Sequence, residues 1–345
     1  MRASLRALRR EVAPPALPLL DARGARVILG AQPATPIAPI APAADTLFAP
    51  RGACLASREG PLIVCDTGHH RLLLWERAPH ADAAPADRIF GQPHFEAEGR
   101  NAKGEVGPAT LNVPTGVAVG AGMLAVADAW NHRVLLWHAL PTRSNQPPDV
   151  VVGQADLRSG VANRGLGAAR RDTLSWPYGV AIDSGRLYVA DSGNRRVLAW
   201  DSIPVASGTP ADRVIDQGLR WPHAIAAAGE RVYVADAGLS RVFAWRGGTL
   251  VSACGEALNM PYGAAFQGER LVVADTANSR LLGFDGERTA ATRLAGQKAF
   301  DERGDNRWGR PARDSLCWPY AVSACGNTLV VADTGNDRVL LWDAA

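Results

Sequence analysis

Tyr188-Val-Ala-Asp191-Ser-Gly-Asn-Arg-Arg196-Val-Leu-Ala-Trp200 decides the fold of this 345-residue chain. It reads as an apolar strand ending in Asp, a short turn, an Arg five residues after the Asp, and an apolar strand ending in an aromatic. The unit recurs as Asp66 to Arg71 and Trp75, Asp128 to Arg133 and Trp137, Asp236 to Arg241 and Trp245, Asp275 to Arg280 and Phe284, and Asp333 to Arg338 and Trp342. Six copies in register mark a repeat architecture, in which no unit buries its faces alone and each must stack on its neighbours.

A proline precedes each Asp at a nearly constant interval, 14 residues for Pro114, Pro177, Pro222, Pro261 and Pro319 and 16 for Pro50. Each unit therefore supplies a first strand such as Gly116-Val-Ala-Val119, a second such as Leu187-Tyr-Val-Ala190 and a third such as Arg196-Val-Leu-Ala-Trp200. The Thr-Gly-His, Ser-Gly-Asn and Thr-Gly-Asn turns between second and third strands are hairpin chemistry. Fourth strands follow at Arg88–Gln92, Val150–Gln154, Arg213–Gln217 and Thr292–Gln297, with a weaker one at Leu250–Ser252.

The expectation is an all-β chain, a six-bladed β-propeller of four-stranded antiparallel blades. The sixth unit has only three strands. Arg26-Val-Ile-Leu-Gly30 shares the Arg-Val-Ile pattern of the fourth strands, so this N-terminal strand is expected to complete the last blade and remove two open sheet edges.

These motifs resemble the NHL-repeat family, whose units pair a Pro-x-Gly-Val-Ala strand with Tyr-Val-Ala-Asp-x-Gly-Asn-x-Arg, as Tyr188 to Arg196 does here. The resemblance runs over roughly residues 26–345. WD repeats are a poorer match, because their Gly-His and Trp-Asp signatures are missing. The resemblance implies three kinds of function: protein or ligand binding, single-stranded RNA binding, and metal-dependent hydrolysis or amidating lysis.

The chemistry of the innermost strands separates these. Cys54-Leu-Ala56, Gly116-Val-Ala-Val119, Gly179-Val-Ala-Ile182, Ala224-Ile-Ala-Ala227, Gly263-Ala-Ala-Phe266 and Ala321-Val-Ser-Ala324 carry no carboxylate, Asn or His. Calcium needs hard oxygen donors and zinc several convergent imidazoles, so no catalytic residue, metal or cofactor is assigned.

The formal charge of +3 sits at one end. Residues 1–26 hold Arg2, Arg6, Arg9, Arg10, Arg23 and Arg26 against Glu11 and Asp21, leaving a nearly neutral body. That balance argues against a nucleic-acid partner, which calls for a basic folded surface. Residues 1–22 read as a mobile basic tail, since Pro14, Pro15 and Pro18 break any signal-peptide helix, and 23–345 as the propeller. No apolar run is long enough to cross a membrane. Five cysteines without a C-x-x-C pair indicate neither zinc nor a disulfide framework, which fits a cytoplasmic setting.

The sixfold Asp and Arg read as the frame: Asp oxygens accept turn N–H groups and Arg bridges to Asp or to carbonyls. The strand-ending Trp residues read as packing between blades. Departures from the repeat mark the site. The residues beside the prolines include Trp176, Tyr178, Trp221, His223, Met260, Tyr262, Trp318, Tyr320 and Arg51, and should gather at the mouth of the central channel. Either the Trp residues belong to this aromatic crescent or they wedge between blades and leave Tyr and His to solvent.

Beside the crescent run three long loops, Gly91–Pro114, Gly153–Pro177 and Gly296–Pro319, each opening Gly-Gln and carrying a central Asn. Exposed aromatics around a hollow are binding hot spots. The sequence therefore points to a scaffold for a protein, peptide or small ligand, with Trp176, Tyr178, Trp221, His223, Tyr262, Trp318, Tyr320 and Arg51 as contact residues.

Overall fold

The computed structural model describes residues 16–30, 40–255, 257–286 and 288–345. The 14-residue interval is a strand register. Pro114 lies opposite Asp128, Pro177 opposite Asp191, Pro222 opposite Asp236, Pro261 opposite Asp275 and Pro319 opposite Asp333. First and second strands thus form a hairpin whose open end is closed by the Pro and Asp. The two extra residues of the first unit fall in its longer turn between Gly52–Leu55 and Leu62–Asp66.

Six such hairpins, each with its third and fourth strands, form six separate sheets arranged radially, with the first strands innermost. Each innermost strand packs on the next around the ring, including that of blade six on that of blade one. The approach is close because the second residue after the proline is small. A Cβ on Gly52 would lie 2.0 Å from the Thr115 carbonyl oxygen, and one on Gly179 2.4 Å from that of His223.

Ring closure follows the expected route. Val27–Leu29 pairs antiparallel with Arg338–Asp343 as the fourth strand of blade six. A second strand comes from the same segment: Leu17–Pro18 pairs in parallel with Arg293–Ala295, giving blade five a fifth strand. Leu19 and Leu20 are buried, and Asp21 offers its carbonyl to the Trp342 indole at 2.8 Å. Residues 1–15 of the expected tail lie outside the described residues, but Leu17 to Asp21 belong to the propeller wall. Two leucines with a sheet edge to join form structure ahead of the boundary expected at residue 23.

The Trp342 contact shows what the strand-ending tryptophans do. They pack between blades, and the indole N–H of Trp75, Trp137 and Trp200 also ties down the following turn, at Ala84 (2.9 Å), Gln146 (3.0 Å) and Thr209 (3.1 Å).

The buried Asp organises each unit. In all six blades one carboxylate oxygen accepts the backbone N–H two residues before the proline, at 2.6–2.7 Å, from Phe48, Asn112, Ser175, Arg220, Asn259 and Cys317. In five blades the other oxygen takes the Arg Nε at 2.7–2.8 Å. The Arg then donates to carbonyls of the loop ahead of the blade, as Arg133 does to Gly107 and Thr110.

Blade four departs from the sixfold Asp and Arg expectation. Asp236 accepts from Arg220, Trp221 and Leu239 backbone amides, while Arg241 is exposed and makes no ion pair among the described residues. The turn of blade four differs: Leu239 stands where the other blades carry His69, Asn131, Asn194, Asn278 or Asn336, whose side chains bond the same carboxylate oxygen that takes the Arg. Its fourth strand, expected to be weak, is Thr249–Cys254, six residues against three in the other blades.

The contrast fixes an outcome. Arg133→Ala should cost about 3–5 kcal/mol because it strands a fully buried carboxylate. Arg241→Ala should change stability by less than about 0.5 kcal/mol. Chemical denaturation of both variants makes the comparison, and equal losses would contradict this account of blade four.

Candidate binding face

The turn from second to third strand and the connections between blades share one face. The central Asn residues of the long loops show this most directly: Asn101, Asn163 and Asn306 exchange paired amide hydrogen bonds with the turn residues Asn131, Asn194 and Asn336. Each loop-opening Gln reaches back to the turn as well, Gln154 donating to the His132 and Val161 carbonyls. The long loops are therefore stapled down as an ordered cap, and their shared pattern is structural.

The residue after each proline points into the channel, and the six together close it. Tyr178 stacks on His223 (centroids 4.9 Å apart), His223 on Tyr262 (4.2 Å), Tyr262 leans on Tyr320 (4.5 Å), and the Arg51 guanidinium lies over Tyr320 (4.9 Å). Thr115 completes the circle by donating to the Tyr178 carbonyl at 2.8 Å. The plug leaves a hollow of only about 70 Å³ against the first residues of the inner strands. His223 and Tyr262 are buried, whereas Tyr178, Tyr320 and Arg51 are half-buried.

The residue before each proline has the opposite fate. Trp176 is 50% exposed, Trp221 40% and Trp318 36%. Of the two arrangements considered for the crescent, the structure shows neither: the Trp residues face solvent, and the rings inside the mouth pack on one another. Trp221 stands 6.4 Å from both Tyr178 and Tyr262, so platform and plug are continuous.

The backbone explains the outward turn. Ala49, Val113, Trp176, Met260 and Trp318 all adopt left-handed φ between 46° and 54°, a conformation that costs a non-glycine residue roughly 1–2 kcal/mol. Each is held by a side chain four residues past the Asp of the preceding blade. Asp337, His70, His132, Ser240 and Ser279 accept the five amides at 2.7–3.2 Å. Blade three has Arg195 at that position, which has no acceptor, and Trp221 there has no positive φ and gives its amide to Asp236 instead. Burial lowers the pKa of His70 and of His132, in keeping with neutral rings that accept at Nδ1.

Two exposed tryptophans on this face escaped the proline-based reading. Trp130 (40% exposed) occupies the second residue after Asp128, where the other blades carry Gly or Ala, and Arg100 stacks over it at 5.0 Å. Trp308 (84% exposed) projects from the loop between blades five and six. The signal was available, since each breaks a small-residue position or a loop pattern.

The chain matches no protein-family model and no curated protein sequence. Solved structures do resemble it. The WD40 β-propeller domain of Doa1 superposes with a TM-score of 0.55 at 8% identity, covering 93% of this chain and 96% of that one. A chain of the nidogen/laminin complex gives 0.47 at 14% identity over 71% and 79%, and the designed Ika8 protein 0.44 at 11% over 85% and 70%. At these identities the likeness to Doa1 shows the propeller fold.

His223 carries the sharpest electrostatic consequence. Its Nδ1–H donates to the Tyr262 carbonyl at 3.0 Å, and burial, with the nearby Arg51 charge adding to it, lowers its pKa to about 3. The folded state therefore takes up this proton only well below the ordinary imidazole value of 6.5. Stability from the neutral ring is complete above pH 6.5 and drains away as pH falls toward 3, by up to about 1.4 kcal/mol per pH unit. His223→Phe should keep the stack and remove this term. The wild-type minus variant difference in unfolding free energy should then fall steadily from pH 6.5 to 4, and a pH-independent difference would refute the assignment.

Proposed function

We propose that this chain is an NHL-type, non-catalytic propeller that captures a protein or peptide on the face bearing the turns and long loops. One observation carries the reading. The chain has ten tryptophans; five end the third strands and are buried, and the other five are all at least 36% exposed and all lie on this face. Trp side chains exposed to water at that density mark a surface that another surface covers.

The shape favours a broad partner over a small ligand. Pockets for drug-sized molecules span about 300–1,000 Å³, whereas the plugged mouth offers about 70 Å³. A standard protein contact instead needs roughly 800 Å² per side, and Trp130, Trp176, Trp221, Trp308 and Trp318 are spread over the blades to provide it. Arg51, Arg100, Arg195 and Arg220 accompany them, and Trp with Arg is the pairing that dominates interface hot spots.

The burial of Tyr262 decides which residues test this reading. Changing Tyr178, Tyr262 and Tyr320 together would break the plug and unfold the mouth. Trp176→Ala, Trp221→Ala and Trp318→Ala combined should abolish partner capture from the native host and move the thermal midpoint by less than about 3 °C. Undiminished capture by the triple variant overturns the reading, and a salt-sensitive shift of labelled single-stranded RNA that the same variant loses would assign the face to nucleic acid instead.

A further inference from the structure

The residue after the proline is Arg51 in blade one and Thr115, Tyr178, His223, Tyr262 and Tyr320 in the others, so one of the six is a permanent cation. The Tyr320 ring, 4.9 Å away, steadies the guanidinium from one face but accepts none of its N–H groups, which lie in the guanidinium plane. Among the described residues no oxygen accepts them: Nε is buried without a hydrogen-bond partner, and the head makes no ion pair. Elsewhere the protein meets its buried guanidinium groups in full. Arg71, Arg133, Arg196, Arg280 and Arg338 each have an Asp carboxylate at 2.7–2.8 Å, with loop carbonyls beside it. Arg51 has neither.

Arg51 lines the hollow of about 70 Å³ on the propeller axis, to which all six innermost strands contribute. Tyr178, His223, Tyr262, Tyr320 and Ser323 share its wall, and no carboxylate does. The Ser323 hydroxyl is buried with no partner. The three phenol hydroxyls and His223 Nε2 also have no partner among the described residues. Burial raises the pKa of Tyr262 to about 12 and lowers that of His223 to about 3, so both are neutral at pH 7 and Arg51 alone brings charge to the wall.

A guanidinium drawn out of water calls for an anion. Its planar fork matches the two oxygens of a carboxylate, and neighbouring hydroxyls can donate to the same oxygens. One water needs about 10–15 Å³ of such space, so the hollow suits a group of a few heavy atoms.

We propose that Arg51, with the Tyr and Ser hydroxyls around it, forms a site for one small carboxylate group on the propeller axis. The group belongs either to a free short-chain acid or to an acidic residue of a bound protein, and the chemistry that holds it is the same. The site stands on Arg51 and the plug alone and does not depend on the tryptophan platform.

Acetate is the probe. Saturation-transfer difference NMR of its methyl signal, with ionic strength held by chloride, should show saturable binding to the full chain. Arg51→Lys keeps the charge but loses the fork and should weaken binding at least about tenfold, and Arg51→Met should abolish it. Tyr178→Phe keeps the stacked ring without its hydroxyl and should weaken binding about threefold. Arg100→Met removes the guanidinium that lies over Trp130 and should leave binding unchanged. Thermal midpoints within about 3 °C of the wild type show that each variant is folded. A signal that does not saturate, binding retained in Arg51→Met, or binding lost equally in Arg100→Met overturns the proposal. So does inorganic phosphate that binds more tightly than acetate. Partner capture repeated in saturating acetate then names the source: capture lost places the carboxylate on the partner, and capture kept makes it a free acid. Acetate binding is read in the same way whether or not a partner is captured, so failure of the site and failure of the capture reading are told apart.

Discussion

The buried Asp carboxylate is the constraint on which this structure rests. A charge taken out of water must be met by donors on every side, and each of the six acids meets them with groups drawn from different parts of its blade: the amide ahead of the proline, the turn, and in five blades the Arg of the third strand. That one requirement holds the first strand, the second strand and the turn in register. Through the Arg it also draws in the loop arriving from the previous blade, so the same carboxylate that closes a hairpin joins neighbouring blades.

The face bearing the turns and long loops inherits its geometry from this frame. Because the proline sits opposite the Asp, the residue after it must enter the channel and the residue before it must leave. Acceptors from the preceding blade pull five of the six preceding residues into the left-handed region, which throws their side chains outward. Tyr178, His223, Tyr262 and Tyr320 thus become a plug, and Trp176 and Trp318 a platform, although plug and platform residues are only two positions apart in the chain.

Blade four shows the frame with one part removed. Leu239 replaces the turn Asn or His that bonds the carboxylate in the other blades, and among the described residues Asp236 finds its partners in backbone amides alone.

The repeat period, the blade count, the strand order and the closing role of Val27–Leu29 were all legible in the sequence, because each depends on patterns of period two and on a spacing repeated six times. The residues of the candidate face were also legible, as breaks in that pattern beside the prolines. Whether each faces water was not. Exposure of Trp176 and Trp318 depends on left-handed backbone and on acceptors supplied 44 and 39 residues earlier in the preceding blade, and the amide of Trp221 is taken by Asp236 of its own blade. Arg241 likewise stands at the same spacing from its Asp as the other five arginines, yet among the described residues it alone of the six makes no ion pair. Sequence by itself determined which side chains depart from the repeat; only the closed ring, which brings distant acceptors against each proline, decided which of them became surface and which became core.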